Sequence, residues 1–220
     1  MSSSATPSSS YITPQVEGEK IFISYNHIHQ LCQESAQKIK PLDIDLIIAI
    51  GGGGFIPARM LRTFLKEEGQ PNLKIFAIIL SLYEDLNSFS TDAEEAGTQV
   101  KRIQWINYEE SKMDLCNKKV LIVDEVDDTR TTLHYALQEL KKDAVSQAKS
   151  KGLEDSNTEF FIFTLHNKLK EKRATLPDEI MDGRHYLAAR ELPDYWIAYP
   201  WESADIVNHQ KMAELQGYEI

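Results

Sequence analysis

Four carboxylates fall within five residues, at Asp124, Glu125, Asp127 and Asp128, and hydroxyls follow at Thr129, Thr131 and Thr132. A carboxylate repels a phosphate. The acids suit sugar hydroxyls, a hydrated Mg²⁺ or a proton, while the threonines donate to an anion. One short stretch thus joins an anion site to a polyol and cation site, the combination that a phosphorylated sugar demands. A strand ending in acids before a helix is common, because Asp caps helices and favours their first turn. Four acids and three threonines exceed what a cap requires. The G-x-x-x-x-G-K-[ST] phosphate loop and the EF-hand spacing are both absent from the chain,.

The neighbouring residues must position this chemistry. Val120 to Val123 is an unbroken β-favouring apolar run and reads as a strand buried on both faces,. Leu133, Ala136, Leu137, Leu140 and Ala144 recur at helical spacing, which predicts a helix from about Thr131 toward Lys149,. The order strand, acidic loop, helix puts the acids where open α/β sheets bind ligands, just past a strand's carboxyl end. The helix start adds unpaired N–H groups and a partial positive charge.

A second strand–turn–helix unit runs through Leu46 to Ile50, then Gly51 to Gly54, then a helix with Pro57 near its start,. Four glycines in a row cost conformational entropy and pack nothing, so they mark a hard turn or a close approach to a ligand. Lys74 to Leu80 and Phe160 to Leu165 read as further buried strands. Tyr25 to Ile39 reads as an amphipathic helix capped by Ser24, with Ile28, Leu31, Cys32, Ser35 and Ile39 on one face,. His27 and His29 are assigned no role. The polar stretch Glu84 to Gly97 is long for a connector and reads as a lid or as disorder. Val100 to Asn107 follows as an edge strand or the lid's second arm. Leu192 to Glu202 is dense in aromatic rings, and Ile206 to Gly217 reads as a closing helix.

The whole is a doubly wound α/β core, a twisted and mainly parallel sheet flanked by helices. A small hood is built from both ends. The expected boundaries are a disordered Ser-rich tail at 1–20 and one domain over 21–220, its core at about 40–168 and its hood from about 21–40 and 185–220.

Composition narrows the classes. Hydrophobic residues make up 42% and charged residues 26%, as in a globular chain,. With 24 Lys+Arg against 34 Asp+Glu the net charge is −10, which argues against nucleic-acid binding,. It also means that a polyanionic ligand is bound against the protein's own field. A helix N-terminus supplies about 0.3–1 kcal/mol, up to ~2 when partly buried, whereas micromolar binding needs roughly 8 kcal/mol. Mg²⁺ and several directed donors are then required. No apolar run reaches the length of about 18 residues that a membrane span needs. Cys32 and Cys116 are the two cysteines, which fits a reducing compartment, the cytoplasm with the nucleus as a second location,.

Val120 to Thr132 resembles the phosphoribosyl-diphosphate (PRPP) signature of the type I phosphoribosyltransferases: an apolar strand, an acidic pair, two variable residues, then Asp-Thr and a phosphate loop. The resemblance implies that Asp124 and Glu125 hold the ribose hydroxyls and, through them, Mg²⁺. It implies that Asp128 handles the proton at purine N7, and that Asp128, Thr129, Arg130, Thr131 and Thr132 wrap the 5′-phosphate. Arg130 and Thr131 depart from the family, which often has Gly and a small or basic residue there, and Asp127 replaces a usual apolar residue. On this resemblance Arg130 lends a charge to the phosphate. Gly52 and Gly53 match the family's pyrophosphate loop, often built around a cis peptide. The basic residue that often precedes the family's Gly is absent, leaving Arg59 and Arg102 as candidate sources of charge. Ser81 and Tyr83 resemble the lid's Ser-Tyr element.

Lys168 matches the lysine that donates to the base's exocyclic oxygen in purine-specific members. The aromatic tail resembles the base-binding hood of 6-oxopurine enzymes, the fungal hypoxanthine-guanine members above all. By that match Trp196 stacks on the purine, Ile197 offers a backbone carbonyl to its 2-position, and Glu202 takes the place of an Asp near the exocyclic amine and Mg²⁺. The resemblance therefore implies transfer of the phosphoribosyl group from PRPP to hypoxanthine or guanine by a homodimer, giving IMP or GMP and pyrophosphate. Two alternatives stand beside it. One is an enzyme of the same fold that prefers xanthine, which a carboxylate at Glu202 disfavours. The other is a nucleotide-binding regulator without turnover.

Overall fold

The computed structural model describes residues 20–83 and 99–216. The expected N-terminal tail at 1–19 lies outside these residues, as do the expected lid stretch at 84–97 and the side chains of Ser81 and Tyr83. In chain order the elements are β1 (Lys20–Phe22), α1 (Tyr25–Ile39), β2 (Leu46–Gly51), α2 (Phe55–Phe64), β3 (Lys74–Tyr83), β4 (Gln99–Gln104) and α3 (Tyr108–Ser111). They continue with β5 (Lys119–Asp127), α4 (Thr131–Ser150), β6 (Glu159–Lys168), β7 (Tyr186–Leu192), β8 (Trp196–Ala198) and α5 (Ile206–Leu215).

The chain forms two compact units, one from the two ends of the chain up to Ile28 and from Tyr195, the other over His29–Asp194. In the larger unit, six strands of the described residues form one sheet in the order β4-β3-β2-β5-β6-β7. All neighbours are parallel except β3 and β4. Val120 to Val123 in β5 are at most 1% exposed, as a central parallel strand requires,. Each such aliphatic side chain contributes about 1.5–3 kcal/mol when fully buried. In α4, Leu133, Ala136, Leu137, Leu140 and Ala144 are all buried, which gives the helix its apolar face,. The predicted cap of α1 is formed by Ser24 Oγ, which accepts the His27 N–H at 3.1 Å.

Two elements differ from expectation. β5 runs four residues beyond Val123, because β6 continues to pair with it as far as Asp127↔Asn167. Asp124, Glu125 and Asp127 are therefore strand residues, not loop residues. Tyr186–Leu192, assigned to the hood by sequence, is a strand of the central sheet paired with β6. In the smaller unit, β1 and β8 form a parallel pair with Ile21 opposite Ile197, and His209 of α5 reaches the Ile23 carbonyl at 2.8 Å.

Candidate active site

β2 and β5 are adjacent and parallel, in register from Leu46↔Val120 to Ala49↔Val123. Gly51 and Glu125 each stand two residues past the last of these rungs, so the glycine turn and the acidic strand end share one edge of the sheet. Between them lies a cleft of about 490 Å³, walled by Gly51–Gly53, Asp124–Arg130, Thr132, Lys170 and Arg173. Its position past the carboxyl ends of parallel strands is that of ligand clefts in open α/β sheets.

The glycines are held by what faces them. A Cβ on Gly54 would strike the Val123 and Ile50 carbonyls, and one on Gly53 would strike the Glu125 carboxylate. The Gly54 N–H donates to the Ile50 carbonyl at 2.9 Å and the Phe55 N–H to Gly52 at 3.2 Å. Among the described residues the Gly52 and Gly53 N–H groups make no backbone hydrogen bond. The Gly51–Gly52 peptide is cis.

The acids separate into two kinds. Asp124 is 7% exposed, and its carboxyl accepts the Glu125 N–H at 2.9 Å. Burial first, and then the neighbouring Glu125 charge, push its pKa well above the ordinary carboxylate range,. Asp127 is structural. Its Oδ2 accepts from Arg130 Nε at 2.9 Å and from the Tyr186 hydroxyl at 2.7 Å, and Arg130 Nη2 lies at 2.9 Å. Burial, and Asp127 beside it, push the Tyr186 phenol up. The Arg130 guanidinium is thus turned onto a buried carboxylate and over the Tyr186 ring, 5.4 Å from its centroid. Arg130 also lines the cleft, so the expected phosphate role falls to a residue that already pairs with Asp127. Arg130 has φ 70°, at the N-cap of α4, a left-handed conformation that glycine adopts without strain.

Asp128 is open, its side chain 44% exposed, with Lys170 Nζ at 3.0 Å and Lys168 Nζ at 3.5 Å. Asp194 completes the group, 2.9 Å from Lys170 and 3.6 Å from Lys168. Asp194, then Asp128, push the Lys170 pKa up. Thr129 and Thr131 hydroxyls lie 3.1 Å apart at the start of α4, and Thr132 lines the cleft.

Neither proposed source of cleft charge is there. Arg59 donates to Thr63 at 2.8 Å on the exposed face of α2. Arg102 pairs with Glu139 and Asp143 of α4 and lies over the Trp105 ring, 4.0 Å from its centroid. The cations lining the cleft are Arg130, Lys170 and Arg173.

Trp196, Ile197 and Glu202 belong to the smaller unit. The Trp196 ring is 69% exposed, while Ile197 is buried in β8 and Glu202 is exposed. Trp201 instead stacks on Tyr199, with centroids 4.7 Å apart and planes 5° from parallel.

No protein-family model matches the chain. Hypoxanthine-guanine phosphoribosyltransferase of Saccharomyces cerevisiae is 62% identical over 208 residues, which cover 92% of this chain and 94% of that one. The chain belongs to the purine phosphoribosyltransferases. Xanthine phosphoribosyltransferase 1 of the same yeast is 50% identical over 208 residues, covering 92% of this chain and 99% of the relative. Among solved structures, a hypothetical protein from Neisseria gonorrhoeae with bound ppGpp superposes with a TM-score of 0.67 and 34% identity, over 93% of this chain and 99% of that one.

In this phosphoribosyltransferase several residues near the site carried only a weak sequence signal. Lys170, Lys172 and Arg173 follow Lys168 in one basic run. The Lys172 ammonium donates to the carbonyls of Asp127, Asp128 and Lys168 at 2.7, 2.9 and 2.8 Å. Burial lowers its pKa, against the pull of Asp127. Alternation of lysines at 168, 170 and 172 was the available hint.

Proposed function

We propose that this chain is the purine salvage enzyme that transfers the phosphoribosyl group of PRPP to hypoxanthine or guanine. The observation that carries it is the cleft where the Asp124–Glu125 pair faces the Gly52–Gly53 turn, in a chain 62% identical to an enzyme of that name. The purine N9 attacks the anomeric carbon as the bond to pyrophosphate breaks, and the bonding pair leaves with pyrophosphate.

Asp124 and Glu125 hold the ribose hydroxyls, and their negative field favours the cation-like anomeric carbon. The Gly52 and Gly53 amides receive the pyrophosphate, and the 128–132 turn with the start of α4 receives the 5′-phosphate. Asp128 takes the N7 proton as N9 attacks. Lys168 donates to the exocyclic oxygen. Trp196 stacks on the base, Ile197 offers its carbonyl, and Glu202 faces the exocyclic amine. Ser81 and Tyr83 belong to the lid that excludes water.

Two adjacent carboxyl groups at the cleft, Asp124 buried and Glu125 partly so, suit a hydrated Mg²⁺ reached through ribose hydroxyls,. Mg²⁺ held at Asp124 and Glu125 would neutralise pyrophosphate charge. We place the enzyme in the cytoplasm as a homodimer; among the described residues no helix is long and apolar enough to cross a membrane.

A xanthine preference is the second reading, favoured by the relative at 50% identity. Measured kcat/KM for the three bases with PRPP separates them. Hypoxanthine and guanine are expected to exceed xanthine, and a xanthine value above both would reverse the assignment.

A further inference from the structure

The sheet ladder between β5 and β6 ends at Asp127↔Asn167. One residue farther, the two strands would part, and the next residues are Asp128 and Lys168, which carry the proposed proton transfer and base recognition. At this point Lys172 crosses the gap. Its side chain is 14% exposed, and its three donors are used by three backbone carbonyls, two from the β5 end and one from the β6 end. An ammonium has three donors and no more, so the geometry is saturated. The Asp127 carboxylate, 3.5 Å away, offsets the charge. A second tie runs in parallel, from the Arg173 N–H to the Thr129 carbonyl at 3.0 Å.

Lys168 and Lys170 behave differently. Both reach carboxylates, Asp128 at the cleft and Asp194, which is distant in sequence, beside it. Of the three alternating lysines, Lys172 is the one directed into the backbone.

The geometry points to Lys172 as a positioning residue that extends the β5–β6 pairing past its last rung and so sets Asp128 and Lys168 relative to each other. Lys172 does not line the cleft. This inference rests on the transferase reading, since it assigns Asp128 and Lys168 to the two substrates.

The test uses the full chain with Lys172→Met, which keeps the stem and removes the donors, and Lys172→Arg, whose planar fork keeps the charge but cannot meet three converging carbonyls. Tyr186→Phe is the control, because it removes one bond to Asp127 and leaves the carbonyls alone. For Lys172→Met, kcat is expected to fall and both KM values, for PRPP and for hypoxanthine, to rise by at least about tenfold at a temperature where the variant is folded, since a misplacement of about 1 Å is costly. Lys172→Arg should lie between this variant and wild type, and Tyr186→Phe should stay within about twofold of wild type. Hydrogen exchange should quicken at 127–132 and 167–170 together. A lowered melting temperature with unchanged kinetic constants would overturn the inference, as would a change in one KM alone. If Lys172→Met does not fold, Lys172→Arg decides by the same constants. Inactivity of wild type with PRPP and every purine would refute the transferase reading instead, and the exchange measurement would then decide whether the two strand ends are held by Lys172.

Discussion

The Glu125 carboxylate occupies the space that a side chain on Gly53 would need. The turn and the strand end are therefore fitted to each other, and the fit differs from that at Gly54, whose missing Cβ makes room for two backbone carbonyls. A flexible carboxylate can swing away, whereas a carbonyl in a central strand cannot. Gly53→Ala should hence lower kcat/KM for PRPP by about tenfold or more while leaving the melting temperature nearly unchanged. Gly54→Ala should destabilise by ~1–3 kcal/mol, the scale of overpacking. Thermal melts beside steady-state kinetics check both.

Asp124 provides a pH prediction with a defined sign. Its folded pKa is raised by burial and by Glu125, so the native state holds a proton that the unfolded chain releases. Stability from this group is present below the unfolded pKa and is lost as pH climbs from there through the raised folded pKa. Asp124→Asn cannot ionise. It should melt higher than wild type near neutral pH without ligand, with the gap closing in acid, while losing transferase activity. Melts over a pH series would refute this if the variant were less stable at neutral pH.

Sequence made the start of α4 readable, since its apolar positions repeat at helical spacing and the threonines mark where the strand chemistry stops. The glycine turn was readable too, since four glycines in a row between an apolar run and a helix mark a hard turn or a close approach. β7 was not. Tyr186-Leu187-Ala188-Ala189-Arg190-Glu191-Leu192 is rich in helix formers, and only its pairing with β6 makes it a strand. The Asp127 network was hidden too. Its partners Tyr186 and Lys172 lie far along the chain, and a carboxylate among other carboxylates looks like part of the site until burial shows otherwise.

Arg130 sets two effects against each other. Its left-handed φ costs about 1–2 kcal/mol, which glycine would recover. Its guanidinium satisfies a buried Asp127, and removing one partner of a buried pair costs about 3–5 kcal/mol. Arg130→Gly should therefore be destabilising by a few kcal/mol on balance, read from denaturant midpoints. An unchanged midpoint would mean that Asp127 finds enough in Tyr186 and Lys172.

Asp128→Asn should keep PRPP affinity and lower kcat by about 10²–10⁴-fold, the range for a positioned acid–base group. Lost PRPP affinity would mean that the Asp128 side chain serves the phosphate turn and not the proton.

Trp196→Ala should weaken base binding by ~1–3 kcal/mol, the scale of base–aromatic stacking. Trp201 is stacked on Tyr199, so Trp201→Ala should act on stability instead. Equilibrium binding of GMP separates the two.

The central claim is that the Asp124–Glu125 pair, facing the glycine turn, holds the sugar of PRPP. Calorimetric titration of Mg²⁺–PRPP into wild type and into the Asp124→Asn, Glu125→Gln double variant tests it most directly. Two charge-assisted hydrogen bonds at about 1.5–3 kcal/mol each predict at least a ~100-fold weaker Kd in the variant. Equal affinity in the two proteins would place PRPP elsewhere and contradict the account.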